Sequence, residues 1–448
     1  MSFREIPDDL RNTFSFVDVN SDRSVEDLQE LIRQPSISAQ NKGVKECAEI
    51  LQSKMKEAGI EAKIMSTARH PIVFGEVKGN GAKKTLLFYG HYDVQPPEPV
   101  DEWLSPPFAA EIRDGRVYGR GASDMKCGIM AVVEGIGAYL KTNSDLPVNV
   151  KIIFEGEEEI SSPSLEPFLR QNRTLLSADA LCGYDGTSEV RLGCKGMLYV
   201  QLTFKEDRID FHSREAGILV SPVWRLVWAL STLKDRAERI LIDGFYDGVQ
   251  NPTPEDDALL EAMPYDPNDL YSGRLLEGLD TKMKIFKRRL FSPTCNISGI
   301  VSGYTGAGSK TVLPRVATAK LDFRLVPDQD PNDLLEKLRR HFVKHGMEDI
   351  EIAELGKLWP ARTHPSEDIA KTVIRSAETA HGHKVAVTPI GAGSGPHYLF
   401  STILNVPFAH TGAATSIKVN HAPNEFVKVE DYISGIKKAA AIVYNFGG

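Results

Sequence analysis

Val148-Asn-Val-Lys-Ile-Ile-Phe-Glu-Gly-Glu-Glu-Glu159 is the stretch on which the fold turns. From Val148 to Phe154, Val, Ile and Phe alternate with Asn and Lys, which predicts a β-strand. Four carboxylates, Glu155, Glu157, Glu158 and Glu159, follow directly at its end. Like charges this close repel, so positive charge is expected to compensate them. Working outward, His91 and Asp93 follow the strand-like Lys84–Gly90. Asp124 lies in Gly119-Arg-Gly-Ala-Ser-Asp-Met-Lys126, Asp185 follows Asp179–Tyr184, and His421 lies in a C-terminal loop. Histidines and carboxylates at successive strand-to-loop junctions predict a metal site.

Helical spacing over Val25–Gln34, Lys42–Ala58 and Gly128–Leu140 alternates with strand patterns at Ala62–Ser66, Ile72–Lys78, Thr85–Tyr89 and Val148–Phe154. This alternation predicts an α/β core with a mixed, mostly parallel sheet. Ligands then sit beyond the carboxyl ends of the strands, where the candidates lie. From Met197 the pattern changes to a strand (Leu198–Lys205), a helix (Val223–Leu233), strands at Asn296–Val301, Thr311–Leu313 and Ala317–Val326, a helix (Pro331–His345) and a strand (Ile350–Leu355). That order suits a smaller α+β unit with one antiparallel sheet, while Pro252–Asp269 reads as an acidic loop. Helices at Ser366–His381 and Val429–Tyr444 and strands at Val385–Thr388 and Val406–Ala409 resume the first style. The expected organisation is a catalytic α/β domain at 1–196 and 365–448, interrupted by an inserted lid or dimerisation domain at 197–364.

A chain of 448 residues has room for two or three domains, and 42% apolar with 25% charged residues is ordinary for a soluble protein. A net charge of −8 argues against nucleic acid as a partner. No apolar run approaches the ~20 residues of a membrane span, and Met1–Asn20 lacks the apolar segment of a secretory signal. The five cysteines include no CxxC pair, so free thiols and a cytoplasmic location are expected.

His91 and Asp93, two apart on an extended segment, point to one face, so Asp93 is placed to hold the His91 ring. Asp124 can bridge two cations through its two oxygens. Glu158 and Glu159 point different ways, one towards metal and one towards a substrate water. Singly these are a chance strand end, a loop aspartate and a solvated acidic run. Together, three carboxylates, Asp124, Asp185 and one of Glu158 and Glu159, with His91 and His421 make two sites of mixed nitrogen and oxygen ligation that suit zinc, or manganese or cobalt.

The combination of Gly90-His-Tyr-Asp-Val-Gln-Pro96, Tyr118-Gly-Arg-Gly-Ala-Ser-Asp-Met-Lys126, Glu155-Gly-Glu-Glu-Glu159 and Thr311-Val-Leu-Pro-Arg315 resembles the co-catalytic di-zinc exopeptidases and aminoacylases. These include carnosinases, Cys-Gly dipeptidases, glutamate carboxypeptidases, acetylornithine deacetylases and succinyl-diaminopimelate desuccinylases. The resemblance runs from about Val25 to Tyr444 and is strongest to the carnosinase and dipeptidase branch. It implies two zinc ions per subunit, one on His91, Asp124 and Asp185, the other on Asp124, Glu159 and His421. Asp93 would orient His91, and Glu158 would be the general base. His212, in Asp210-Phe-His-Ser213, would reach the active site of a partner subunit in a homodimer formed through the inserted domain. Thr311, Arg324, His364 and Ser394 would contact substrate. The implied activity is hydrolysis of an amide bond in a small carboxylate-bearing substrate, by a dipeptidase or carboxypeptidase. Alternatives are a deacylase of N-acyl amino acids and, remotely, a binding protein without catalysis. Arg214, Cys127 and Ile160 depart from the family pattern; Arg214 bears on where His212 sits.

Other residues receive plainer readings. His70, His341, His345, His381 and His383 read as surface residues, and His397 and His410 as packing or supporting groups. Trp224 and Trp228, four apart on one helix, read as core or interface. Trp103 is expected to pack under the metal loop and Arg120 to support the Asp124 loop.

Overall fold

The structure, a computed structural model, describes residues 6–266 and 275–448. Its larger sheet has eight strands, in the order Glu61–Met65, Ile72–Val77, Asn149–Glu155, Thr85–His91, Ala180–Tyr184, Phe408–Thr411, Val190–Arg191 and Val387–Thr388. Thr85–His91 runs parallel to both its neighbours, and Phe408–Thr411 runs parallel to Ala180–Tyr184. The first two strands form the antiparallel edge. The sheet is mixed with a parallel centre, as the alternation predicted.

Period-two alternation fills both faces of this sheet. Leu86 and Phe88 join one core with the helices Asp8–Val19, Ser21–Arg33, Val44–Glu57, Lys126–Asn143, Asp368–His381 and Val429–Gly447. Leu87 and Tyr89 join another core, with the helix Leu165–Gln171 and the turn Phe400–Leu404. At the centre, Gly183 lies against His410, where a Cβ would meet the imidazole at 1.9 Å. Only glycine fits that crossing.

The second sheet, Thr294–Ser302, Val316–Leu325, Gly196–Lys205 and Glu351–Leu358 in that order, is antiparallel throughout. Leu198, Val200, Leu202 and Phe204 point to one side, under the helices Pro222–Leu233 and Pro331–Lys344. The expected strand near Thr311 is separate from it. Val312–Leu313 instead pairs with Phe211–His212 in a two-stranded ribbon.

Two readings need correction. Residues Pro254–Ala262, expected as loop, form a helix, because Thr253 and Asp256 close a capping box around a proline in the first turn; positions 267–269 of that stretch lie outside the described residues. His341, expected at the surface, is 3% exposed. It shares the buried face of the Pro331–Lys344 helix with Leu334, Leu338 and Phe342. Its ring lies 2.9 Å from Thr232 Oγ1, and burial lowers its pKa to about 4. His70 and His381 are half-buried; His345 and His383 are exposed.

Candidate metal centre and substrate site

The four carboxylates after the Asn149–Glu155 strand divide into two pairs. Glu155 and Glu157 are buried and held by hydrogen bonds. Tyr89 Oη and Ser162 Oγ donate to Glu155 at 2.6 and 2.9 Å, and the backbone N–H groups of His70 and Ser164 donate to Glu157 at 2.6 and 3.0 Å. Their role is to fix the turn. Glu158 and Glu159 open a short 3-10 turn, Glu158–Ile160. The turn's first N–H groups donate to Asp93, Glu158 N to Oδ1 and Glu159 N to Oδ2, both at 3.1 Å. Asp93 Oδ1 is also 3.5 Å from His91 Nδ1. His91 Nδ1 lies closer still, 3.0 Å, to the Asp93 backbone carbonyl, so one fully buried residue orients the His91 ring through its carbonyl and the acidic turn through its carboxylate.

His91 Nε2 faces Asp124 Oδ1 at 3.2 Å. The other Asp124 oxygen, Oδ2, faces His421 Nε2 at 3.2 Å, and His421 Nε2 lies 3.3 Å from Glu159 Oε2. The ligand atoms of His91, Asp124 and Asp185 lie within 4.8 Å of one another, as do those of Asp124, Glu159 and His421. The five side chains thus form two triads that share Asp124.

The Asp124 loop is pinned from the far end of the chain. Glu425, fully buried, accepts from the backbone N–H groups of Gly121, Ser123 and Asp124 at 3.0, 2.8 and 2.9 Å, and from Arg120 at 2.7 Å. Asn420 Nδ2 donates to Asp124 Oδ2 at 2.9 Å, and Gln95 Nε2 to Glu159 Oε2 at 2.9 Å. Arg120 supports the loop as expected, and its guanidinium lies over the Trp103 ring at 5.4 Å. Glu425, Asn420 and Gln95 were not singled out from sequence. Gln95 stands within a quoted motif; Glu425 gives no local signal, because its partners are three hundred residues away.

The centre is crowded with charge. Burial pushes the Glu158 carboxyl up to about 8, against the pull of His91, and neighbouring carboxylates add to the rise. Burial, then Asp124, raises Asp185. Burial alone would raise Asp124, but hydrogen bonds from His421 and His91 hold it well below the carboxylate range. His421 is raised to about 10 by its hydrogen bonds to Asp124 and Glu159. Carboxylates buried against each other, with two imidazoles facing them, are the donor set that a divalent cation neutralises. The residues fit metal.

The predicted substrate residues fall into three places. Arg324 donates to Ser394 Oγ at 2.9 Å, and Ser394 Oγ donates to the Gly196 carbonyl at 3.1 Å. His212 and Thr311 lie together on the exposed ribbon, Nε2 to Oγ1 at 3.3 Å, with Arg214 N donating to His212 Nδ1 at 3.2 Å. His364 stands apart, bonded to Ser366 and lining a cavity with Arg362 and Phe291. Lys195, beside the Ser394 loop, was not foreseen; burial, then Arg324, lowers its pKa to about 8. His410 is buried and His397 half-buried, with ring centroids 3.8 Å apart and both pKa values depressed, chiefly by desolvation. Neither belongs to a ligand triad, in keeping with a packing or supporting role.

A mixed sheet carrying two fused ligand triads at its strand ends defines a metal-dependent hydrolase. Residues 87–445 match the model of peptidase family M20/M25/M40, and the chain belongs to that family. It is 28% identical over 482 aligned positions to the Cys-Gly metallodipeptidase DUG1 of Candida albicans, covering 100% of this chain and 99% of the relative. It is similar to the crystal structure of the M20 family metallo-carboxypeptidase Sso-CP2 of Sulfolobus solfataricus, with a TM-score of 0.86, 39% identity and coverage of 95% and 99% of the two chains. For human carnosine dipeptidase 1 the TM-score is 0.78 at 26% identity, with coverage of 98% and 99%. No helix among the described residues is long and apolar enough to cross a membrane.

Proposed function

We propose that the protein removes the C-terminal residue of dipeptides or other short peptides, using two divalent cations, zinc or alternatively manganese or cobalt. The observation that carries this reading is the pair of triads fused at Asp124, with Glu158 beside them and outside both. One cation is assigned to His91, Asp124 and Asp185, the other to Asp124, Glu159 and His421. Bound there, the cations supply Lewis acidity and a water made acidic enough to lose its proton near neutral pH. Glu158, beside both triads and in neither, would take that proton and return it to the departing amine. Asp93 holds His91 and the turn bearing Glu158 in register. Arg324 and Ser394 bind the substrate carboxylate, His364 is assigned a further substrate contact, and Thr311, 3.3 Å from His212, is assigned one on the same side as His212.

We further assign 1–196 and 365–448 to the catalytic domain and 197–364 to the inserted domain. In a homodimer formed through the latter, His212 serves the partner's site as a donor to the developing oxyanion. The exposure of Trp224 and Trp228, 58% and 50%, supports an interface there rather than core. Five free, buried cysteines support a reducing, cytoplasmic setting. The test is a panel of dipeptides and short peptides against N-acetyl and N-succinyl amino acids, with and without added Zn²⁺ or Mn²⁺. Metal-dependent cleavage of the peptides is expected. Cleavage confined to the N-acyl compounds would replace this reading with the deacylase one.

A further inference from the structure

A groove of about 740 Å³ opens between the smaller sheet and the helix Leu165–Gln171. It is bounded on one side by Ser161, Ser162 and Pro163, which follow directly from the Glu158–Ile160 turn, and on another by Pro396, two residues beyond Ser394. Its floor is the uncovered face of the smaller sheet. Arg324, Met197 and Leu358 are direct cross-strand partners in one row, Arg324 opposite Met197 and Met197 opposite Leu358. Side chains opposite one another on a sheet share a face, so the row leads from Arg324 into the groove. Tyr199, Tyr398 and Leu399 complete the apolar lining.

The charges at the rim are already engaged. Arg170 pairs with Glu166 at 2.8 Å, and Lys357 with Glu354 at 3.1 Å. The groove therefore offers apolar surface without an unpaired charge to select a charged group.

We infer that this groove takes the side chain of the substrate's C-terminal residue and selects large apolar or aromatic ones. The assignment rests on the hydrolytic reading above. A carboxylate on Arg324 and Ser394 and a scissile carbonyl beside Glu158 fix the two ends of the terminal residue. The groove adjoins both ends through its walls, Ser161 directly after the Glu158–Ile160 turn and Pro396 two residues past Ser394, and its floor continues the Arg324 row, so the side chain of that residue is the group placed to meet it. Leu358 and Tyr199 are specificity-determining positions.

The test compares kcat/KM for alanyl dipeptides ending in Phe, Leu, Gly, Asp and Lys, with the Zn²⁺- or Mn²⁺-loaded full-length protein. Phe and Leu are expected to exceed Gly by about 10–100-fold, the range of selectivity from apolar pockets. Leu358→Glu should lower the Phe-to-Gly ratio about tenfold and raise the Lys-to-Phe ratio, because it places a carboxylate in the apolar row. A loss of structure alone would not invert the preference. Should Leu358→Glu fail to fold, Tyr199→Ala is expected to lower the Phe-to-Gly ratio. Equal rates for Phe and Gly in the wild type, or unchanged ratios in the folded variants, overturn the groove assignment alone. Failure to cleave any member of the panel overturns the hydrolytic reading and this one with it.

Discussion

Asp93 and Glu158 divide the work of the centre between a residue that only holds and a residue that reacts. Asp93 has both oxygens occupied, by the N–H groups of the turn at 3.1 Å. Glu158 has a carboxyl raised to about 8 by burial and lies outside both ligand triads. Glu158→Gln is therefore expected to keep its metal and lose about 10²–10⁴-fold in kcat, whereas Asp124→Ala, which breaks both triads, should lose both metals. Metal analysis and turnover on the same preparations check the pair; metal loss in Glu158→Gln, or equal metal content in the two, would contradict the assignment. His91, Glu159 and Asp185 were legible in the sequence because they stand at or just past the ends of apolar strands, where a charged group has few structural reasons to be, whereas Asp124 and His421 lie in loops and were carried by the family resemblance. Glu425 was not, since a carboxylate in a loop looks alike whether it faces solvent or caps a distant backbone turn.

The Pro331–Lys344 helix was legible from its apolar spacing, but the burial of the polar residue His341 on it was not. His341 continues the spacing of Leu334 and Leu338 on its helix, so the period marked it as inward while its chemistry suggested outward. The Lys126–Asn143 helix shows the energetic side of such burial. It packs against Val429–Gly447 so closely that a Cβ on Gly135 would lie 2.7 Å from the Ile436 carbonyl. Glu134, on the same helix, is raised to about 7 by burial and then by Asp27, against Lys141 and Arg23. A raised carboxyl pKa means that the folded protein holds a proton the unfolded chain releases. Stability then falls as pH rises from about the ordinary 4.5 to about 7, and the full penalty remains above that window. Glu134→Gln is expected to raise Tm at pH 8 by about 2–4 °C, with a smaller gain at pH 5. Thermal unfolding at the two pH values measures this; an equal gain at both would remove titration as the cause.

At the scale of the molecule, the two-sheet division was readable from the change of pattern at Met197, but the use of the outer surface was not. Trp224 and Trp228 stack with centroids 5.8 Å apart on the outside of the Pro222–Leu233 helix, where periodicity alone allowed core or interface. If that face joins two subunits and His212 serves the partner's centre, inactive His212→Ala and Glu158→Ala proteins should complement on mixing. Random exchange makes half the dimers mixed, each with one intact site, so activity should return to about a quarter of wild type. Exchange without recovery would confine His212 to its own subunit. The pinning of Asp124 by Glu425 has a further consequence. His91 on its strand and His421 in its loop belong to triads that share Asp124, so cations held there would add a reversible cross-link between the early and late parts of the chain to the packing that already joins them, such as Lys126–Asn143 on Val429–Gly447. Ions that bind only the native form shift the folding equilibrium by mass action, so removal of the metal ions is expected to lower stability and to leave the C-terminal loop bearing His421 more open to proteolytic nicking.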